Sequence, residues 1–341
     1  MRPTSIIYST AVVLTALFLV LLPAAASGVA VAYAQNASRR AVFIPQWHPQ
    51  SQFAGYYMAY EIGIYKKYGI DLEILDGGPS APAVKALEEK KADFVTLQLS
   101  AAIERRAKGV KLINIAQISQ RSAILIVAKK KSGIKEVKDL NGKHIGFWRT
   151  DFDGILRTFL HKHNLKVQTV PINYTVNLFL LDGIDAMVTM WYNEYYKIIN
   201  SGLDEDELVK FLFFEHDLNL PEDGIYCLEE TYNRDPALCR DFVKASIEGW
   251  IYAFAHEEQA VEAVLKYMNR AHVTANKPHQ RWMLARMCDI ISPQNSKSSI
   301  GDLLEPDYLR VASILSEFKV IDSIPDFKTF FINQAAKDVK K

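Results

Sequence analysis

Cysteine is scarce in this chain of 341 residues, which has only Cys227, Cys239 and Cys288. Their spacing fits no zinc pattern, so a structural zinc site is not expected. Net charge is nearly absent too: 40 lysines and arginines face 39 aspartates and glutamates, leaving +1. No global field therefore exists to attract nucleic acid or an anionic membrane. The runs Lys129–Lys131 and Lys340–Lys341 are short and read as a solvated turn and a tail. No segment beyond the first forty residues is apolar enough to span a bilayer. Fixed-period repeats and low-complexity tracts are missing. His161 and His163, two apart on a predicted helix, point to different sides and make no metal pair. Local spacing shows no Ser-His-Asp or Cys-His arrangement, so no catalytic residue is expected, and no cofactor or metal.

What is present starts at the N-terminus. Arg2 precedes an apolar run from Ile6 to Ala26, and Ala32-Tyr33-Ala34 stands before Gln35. A positive start, an apolar region and an A-x-A site read as a secretory signal over residues 1–34, cleaved after Ala34. An uncleaved anchor, or a sensory domain tethered by one, is the alternative, since the run is long enough to cross a bilayer. No cysteine follows it to carry a lipoprotein anchor. The expectation is a mature protein soluble in the periplasm. Export permits a disulfide, and Cys227 with Cys239 would close a short loop; buried free thiols are the other reading.

Strand-like and helix-like runs then alternate. Strands are expected at Ala41–Ile44, Asp71–Leu75, Asp93–Leu97 and Val110–Ile118. Helices are expected at Gln52–Tyr68, closed by Gly69, at Ala81–Lys90, and at Ser100–Ala107 with Ser100 as N-cap. This rhythm implies a parallel sheet with helices on both faces. After the β-branched run at Ala123–Lys131 a second unit begins. It has strands at Lys143–Phe147, Val167–Val170, Ala186–Met190 and Lys210–Phe214, and helices at Gly154–His163, near Leu178 and at Glu194–Asn200. Pro221-Glu-Asp-Gly224 punctuates the chain, and Ile225–Leu228 is extended. From Pro236 on, amphipathic runs at Pro236–His256, Glu257–Met268, Lys277–Ile291 and Asp307–Phe318 read as helices. The expected organisation is residues 39–126 as the first part of one lobe and 127–223 as the second lobe. Residues 224–341 would complete the first lobe with C-terminal helices. Two α/β lobes joined by two crossings form a hinged clamp that closes on a ligand.

Several segments carry a family resemblance: Trp47–Leu75 with Gly77-Gly78-Pro79, Asp93–Gly109, Asp139-Leu-Asn-Gly-Lys-His-Ile-Gly146, Gly183-Ile-Asp-Ala-Met187, Met190-Trp-Tyr-Asn-Glu-Tyr195 and Pro236–Ala245. The chain resembles the thiamine-pyrimidine-precursor (SsuA/THI5-like) family of type II periplasmic binding proteins. The resemblance spans nearly all of the expected mature chain. It implies a two-lobed Venus-flytrap fold, a small-molecule ligand, an ABC permease as partner in the inner membrane, and a monomer. Sulfonate, taurine and nitrate receptors are related alternatives. The family also includes a eukaryotic synthase that consumes its own histidine and uses pyridoxal phosphate on a lysine. Here the lysine position falls on Leu97 and the histidine position on Ala101, and its cysteine-rich run is reduced to Cys227. Without the amine and the imidazole that chemistry is not expected.

Ligand contacts are expected where strands end and helices begin, because ligands of open α/β sheets bind at that edge. Trp47 follows the first strand in a polar loop and reads as a stacking platform. Of Tyr56 and Tyr57, one is expected to face the cleft; Tyr56 is named as that contact. Gly78 permits a close backbone approach, and Gln98 and Ser100 sit at the same edge. In the second lobe Trp148 opens a segment with Arg149, Asp151 and Asp153, whose carboxylates argue mildly against an anionic ligand. By resemblance, Trp191 or Tyr192 would supply an aromatic wall. Glu194 would supply a carboxylate for an aminopyrimidine edge.

Overall fold

The computed structural model describes residues 38–148, 153–294 and 298–332. The signal segment expected over residues 1–34 lies outside them. Among the described residues no helix is long and apolar enough to cross a membrane.

The first half of the chain builds one sheet and crosses to a second. It runs β1 (Arg39–Ile44), α1 (Ala54–Glu61), α2 (Ile64–Lys67), β2 (Ile70–Ile74), α3 (Ala83–Glu88), β3 (Phe94–Gln98), α4 (Leu99–Ala107) and β4 (Leu112–Gln117). The second sheet holds β5 (Ile124–Lys129), β6 (His144–Phe147), β7 (Gln168–Pro171), β8 (Ala186–Met190) and β9 (Leu208–Leu212). Its helices are α5 (Asp153–Lys162), α6 (Asn177–Leu180) and α7 (Glu194–Asn200). The chain then returns as β10 (Asp223–Leu228), followed by α8 (Glu229–Arg234), α9 (Pro236–Ala255), α10 (Glu257–Arg270), α11 (Lys277–Ile291), α12 (Glu305–Glu317) and α13 (Phe327–Phe330). Strand orders are β2-β1-β3-β10-β4 and β7-β6-β8-β5-β9. This is a two-lobed α/β fold with two crossings and a helical C-terminal segment.

The sheets are mixed, which corrects the expected parallel arrangement. Strands β1, β2 and β3 pair in parallel, as do β6, β7 and β8. By contrast β10 is antiparallel to both β3 and β4, and β5 to both β8 and β9. The odd strand in each sheet is the one arriving from the other lobe. It enters at the edge where its neighbours end, so it must run against them. All six residues of β4 and of β5 are buried, including the polar Asn114, Gln117 and Lys129.

The expected helix from Gln52 to Tyr68 is split. Gly63 adopts φ +78, a left-handed conformation that ends α1 and starts α2. Ser100 does not cap α4. The N-cap position is Gln98, which makes no capping bond with its side chain, and the Leu99 N–H donates to the Glu222 carbonyl at 2.8 Å. Further on, Asp235 caps α9 by accepting from the Leu238 N–H, with Pro236 at the first helical position. Helix α9 brings Phe242 beneath the first sheet, where it stacks on Phe94 at 4.1 Å and on Tyr65 at 5.3 Å. Truncating such a buried ring costs roughly 3–5 kcal/mol. The three cysteines are free thiols, with Cys227 and Cys239 buried. That decides between the two readings left open by the sequence.

Candidate ligand-binding cleft

The carboxyl ends of β1, β3 and β8 meet where the lobes face each other. After β1 the chain turns through Gln46 and Trp47. The loop is held from behind: a Cβ on Gly77 would lie 1.7 Å from the Pro45 carbonyl oxygen, and one on Gly78 would lie 2.7 Å from the His48 ring. Gly78 also has φ +141. These glycines serve the loop's close packing. Trp47 is half-buried, and its ring meets Tyr174 of the second lobe edge-on at 5.1 Å. That contact joins the two lobes at one mouth of the cleft.

Bonded to both ends of the Trp47 loop is a residue that sequence reasoning passed over as punctuation. Asp223 begins β10, and because that strand is antiparallel its first residue sits beside Gln98, the last of β3. Its two carboxylate oxygens accept from the Gln46 amide at 2.5 Å and the Gln52 amide at 2.7 Å. One side chain thus ties both ends of the Trp47 loop to the hinge. Neighbouring Glu222 accepts from the Ser122 hydroxyl and the Ala123 N–H, each at 2.8 Å, so it laces the two crossings together. Asn219 adds bonds to Ser122 N and the Gln120 carbonyl.

Burial raises the Asp223 carboxyl to about 6, against the lowering effect of the two glutamine amides. Burial likewise raises Glu222 to about 8. Among the described residues neither has an ion-pair partner. The available signal was two adjacent carboxylates at the start of the apolar run Ile225-Tyr-Cys-Leu228, where a surface turn would have no reason to be buried.

The second lobe contributes the turn after β8. Glu194 is 4% exposed at the start of α7. It accepts from the Met190 N–H at 3.2 Å and the Asn193 amide at 2.8 Å, with the Lys197 ammonium at 3.7 Å. Burial raises its pKa, partly offset by Lys197 and the Met190 N–H. Tyr192 is buried, and its phenol is held well above its ordinary value by burial and by Asp223, Glu222 and Glu194. Trp191 turns elsewhere: the Arg286 guanidinium lies 4.8 Å over its ring, and its carbonyl accepts from Trp282 Nε1 at 3.1 Å. Of the two candidate aromatics, Trp191 faces α11 and Tyr192 is buried.

Other expected residues scatter. Tyr56 is 1% exposed, 4.8 Å from Phe43 and 5.7 Å edge-on to Trp250. Tyr57 is equally buried, stacked on Tyr267 at 4.0 Å. Both rings pack α1 against α9 and α10, and the Tyr56 phenol is held well above its ordinary value by burial and by Asp223. Trp148 is buried at the end of β6. Arg149 and Asp151 lie outside the described residues, as does the Asp153 side chain. Ser100 is buried and lines a separate cavity of about 500 Å³ between α4 and α5. Leu220, Val311, Ile314, Leu315 and Phe318 are among its walls. No other expected contact lines that cavity.

The family described as NMT1/THI5 like matches residues 50–260. A protein of Haemophilus influenzae named for thiamine biosynthesis is 24% identical over 226 residues, covering 65% of this chain and 71% of that one. The riboflavin-binding protein RibY of Chloroflexus aurantiacus is 24% identical over 267 residues, covering 74% and 73%. The periplasmic aliphatic sulphonate binding protein SsuA of Escherichia coli superposes with a TM-score of 0.70 at 16% identity, over 89% of this chain and 95% of that one. The match over residues 50–260, together with that fold, shows that the chain belongs to the NMT1/THI5-like family and has the architecture of periplasmic binding proteins.

Proposed function

We propose that this protein is the periplasmic solute-binding component of an ABC importer and takes up a thiamine-related aminopyrimidine. Hydroxymethylpyrimidine and formylaminopyrimidine are the types in view. The observation that carries the reading is the pair of buried carboxylates at the ends of strands, Glu194 after β8 and Asp223 beside the last residue of β3. A sulfonate or nitrate placed there would meet the charge of Asp223, raised only to about 6, whereas Glu222, raised to about 8, is neutral near pH 7. At an effective dielectric near 20, one such pair at 4–6 Å costs roughly 3–4 kcal/mol. A ligand that donates hydrogens gains instead: an exocyclic amine or protonated ring nitrogen makes a charge-assisted bond to a carboxylate.

In this reading the ring enters the open cleft and stacks on Trp47. Its amino edge meets Glu194, and the added contacts in the closed state draw the second lobe in. Closure presents both lobes to an inner-membrane permease. Residues 127–223 act as the moving lobe, and the protein works as a monomer. No catalytic step is assigned to any residue.

A flavin is the second reading, favoured by the relative named for riboflavin, since its flat ring also carries an N–H donor. The test is a thermal-shift and calorimetry screen with hydroxymethylpyrimidine, formylaminopyrimidine, thiamine, riboflavin, taurine and nitrate. Stabilisation by the pyrimidines is the expected result; stabilisation by the anions alone would overturn it. Glu194→Gln is expected to weaken pyrimidine binding about tenfold or more while leaving the fold intact.

A further inference from the structure

We infer that helix α11 is the positioning element of the cleft, holding the Trp47 loop with one face and the Trp191–Tyr196 segment with another. This rests on the reading of the cleft as the ligand site.

Along α11, Gln280, Met283, Leu284, Met287, Ile290 and Ile291 are buried. From this face the Gln280 side-chain carbonyl accepts from the Ser51 N–H at 2.8 Å, gripping the loop four residues after Trp47. Residues 279, 282 and 286 recur at helical spacing on a second stripe. His279 stacks on Tyr196 at 5.1 Å, and Trp282 stacks on the same ring at 5.2 Å. Trp282 Nε1 donates to the Trp191 carbonyl at 3.1 Å. The Arg286 guanidinium lies 4.8 Å from both the Trp191 and the Trp282 ring, and Asp289 orients it at 2.8 Å. Trp282 packs against the second lobe's own apolar cluster.

Within two turns, one helix therefore grips the loop bearing Trp47 and the segment bearing Tyr192 and Glu194. The contacts to the second lobe must form or break as that lobe moves, because Trp191 directly follows β8, which is paired in the second sheet. Stacking and a single neutral hydrogen bond suit this task. They are directional, and weak enough to release.

The test uses the whole protein with spin labels on the two lobes, and hydroxymethylpyrimidine as probe. Pulsed EPR of the ligand-free protein reports the inter-lobe distance; stopped-flow and calorimetry report dissociation rate and Kd. Arg286→Ala is expected to broaden the ligand-free distances and raise Kd about tenfold, mainly through faster dissociation. Arg286→Lys keeps a cation over the rings and is expected to recover part of the loss. Trp282→Phe keeps the ring and loses the N–H, for about fivefold. A lower melting temperature with unchanged distances and unchanged dissociation would make α11 mere support and overturn the inference. If the probe fails to bind the wild type, the ligand assignment falls, while the ligand-free distances still decide the role of α11.

Discussion

Replacing Glu222 by glutamine isolates the cost of an acidic hinge. In the unfolded chain this carboxyl titrates near its ordinary 4.5, and burial raises it to about 8 in the folded protein. Between those values the native state holds a proton that the unfolded state has released. Stability must then fall as pH rises, by about 1.4 kcal/mol per unit well below the folded value. Integrated from pH 6.5 to 8, the loss is roughly 1.5 kcal/mol, because the slope fades as the folded group itself ionises. Other groups titrate in the same range. His163, His216 and His279 are all depressed by burial and contribute stability that grows with pH through about 6.5. Taking wild type and variant together cancels these shared terms. A glutamine side chain at this position keeps a carbonyl oxygen to accept from Ser122 and Ala123, as Glu222 does now. Urea unfolding at pH 6.5, 7.2 and 8 measures the difference. Glu222→Gln is expected to gain on the wild type steadily across that range. A difference that stays flat, or shrinks, would mean that Glu222 is already ionised at neutral pH in the folded protein and that the low-dielectric hinge has been misjudged.

Trp47→Ala removes the stacking platform and the contact with Tyr174. Pyrimidine affinity by calorimetry is expected to fall about 10- to 100-fold, with the unliganded melting temperature little changed. Gly77→Ala drives a methyl against the Pro45 backbone, where no side chain can yield. Circular dichroism should show a protein several kcal/mol less stable, or one that does not fold. Cys227 and Cys239 are buried thiols. They are expected to react with a thiol reagent only under denaturing conditions, and a non-reducing mass measurement should show no loss of two hydrogens.

Local patterns carried much of the fold. The helix expected over Lys277–Ile291 is found at those residues, because its apolar stripe is unbroken and Asn276 caps it by accepting from the His279 N–H. Strand β8, expected at Ala186–Met190, is also found there. Trp47 follows β1 and Glu194 opens α7 after β8, at the strand-to-helix turns where the sequence pattern puts them. Other features were not legible. A run such as Asp223–Leu228 states that it is a strand and says nothing about its direction, so the sequence pattern suggested a parallel sheet. Asp223 reaches the site only because the strand is reversed and its first residue faces Gln98, from the far side of the whole second lobe in sequence. Of Tyr56 and Tyr57 one reads as facing the cleft and the other as packing against the sheet, and α9 and α10 cover both.

Composition, periodicity and a handful of motifs thus determined what each segment is, and which family it resembles, because those depend on the chain's near neighbours. Tertiary structure decided the rest. It turned Trp191 toward α11, buried Tyr192, and brought α11 against both jaws. It also buried Glu222 and Asp223 at the hinge, where they hold Ser122, Ala123 and both ends of the Trp47 loop. These are contacts between residues far apart in the chain, and they are set by packing and burial.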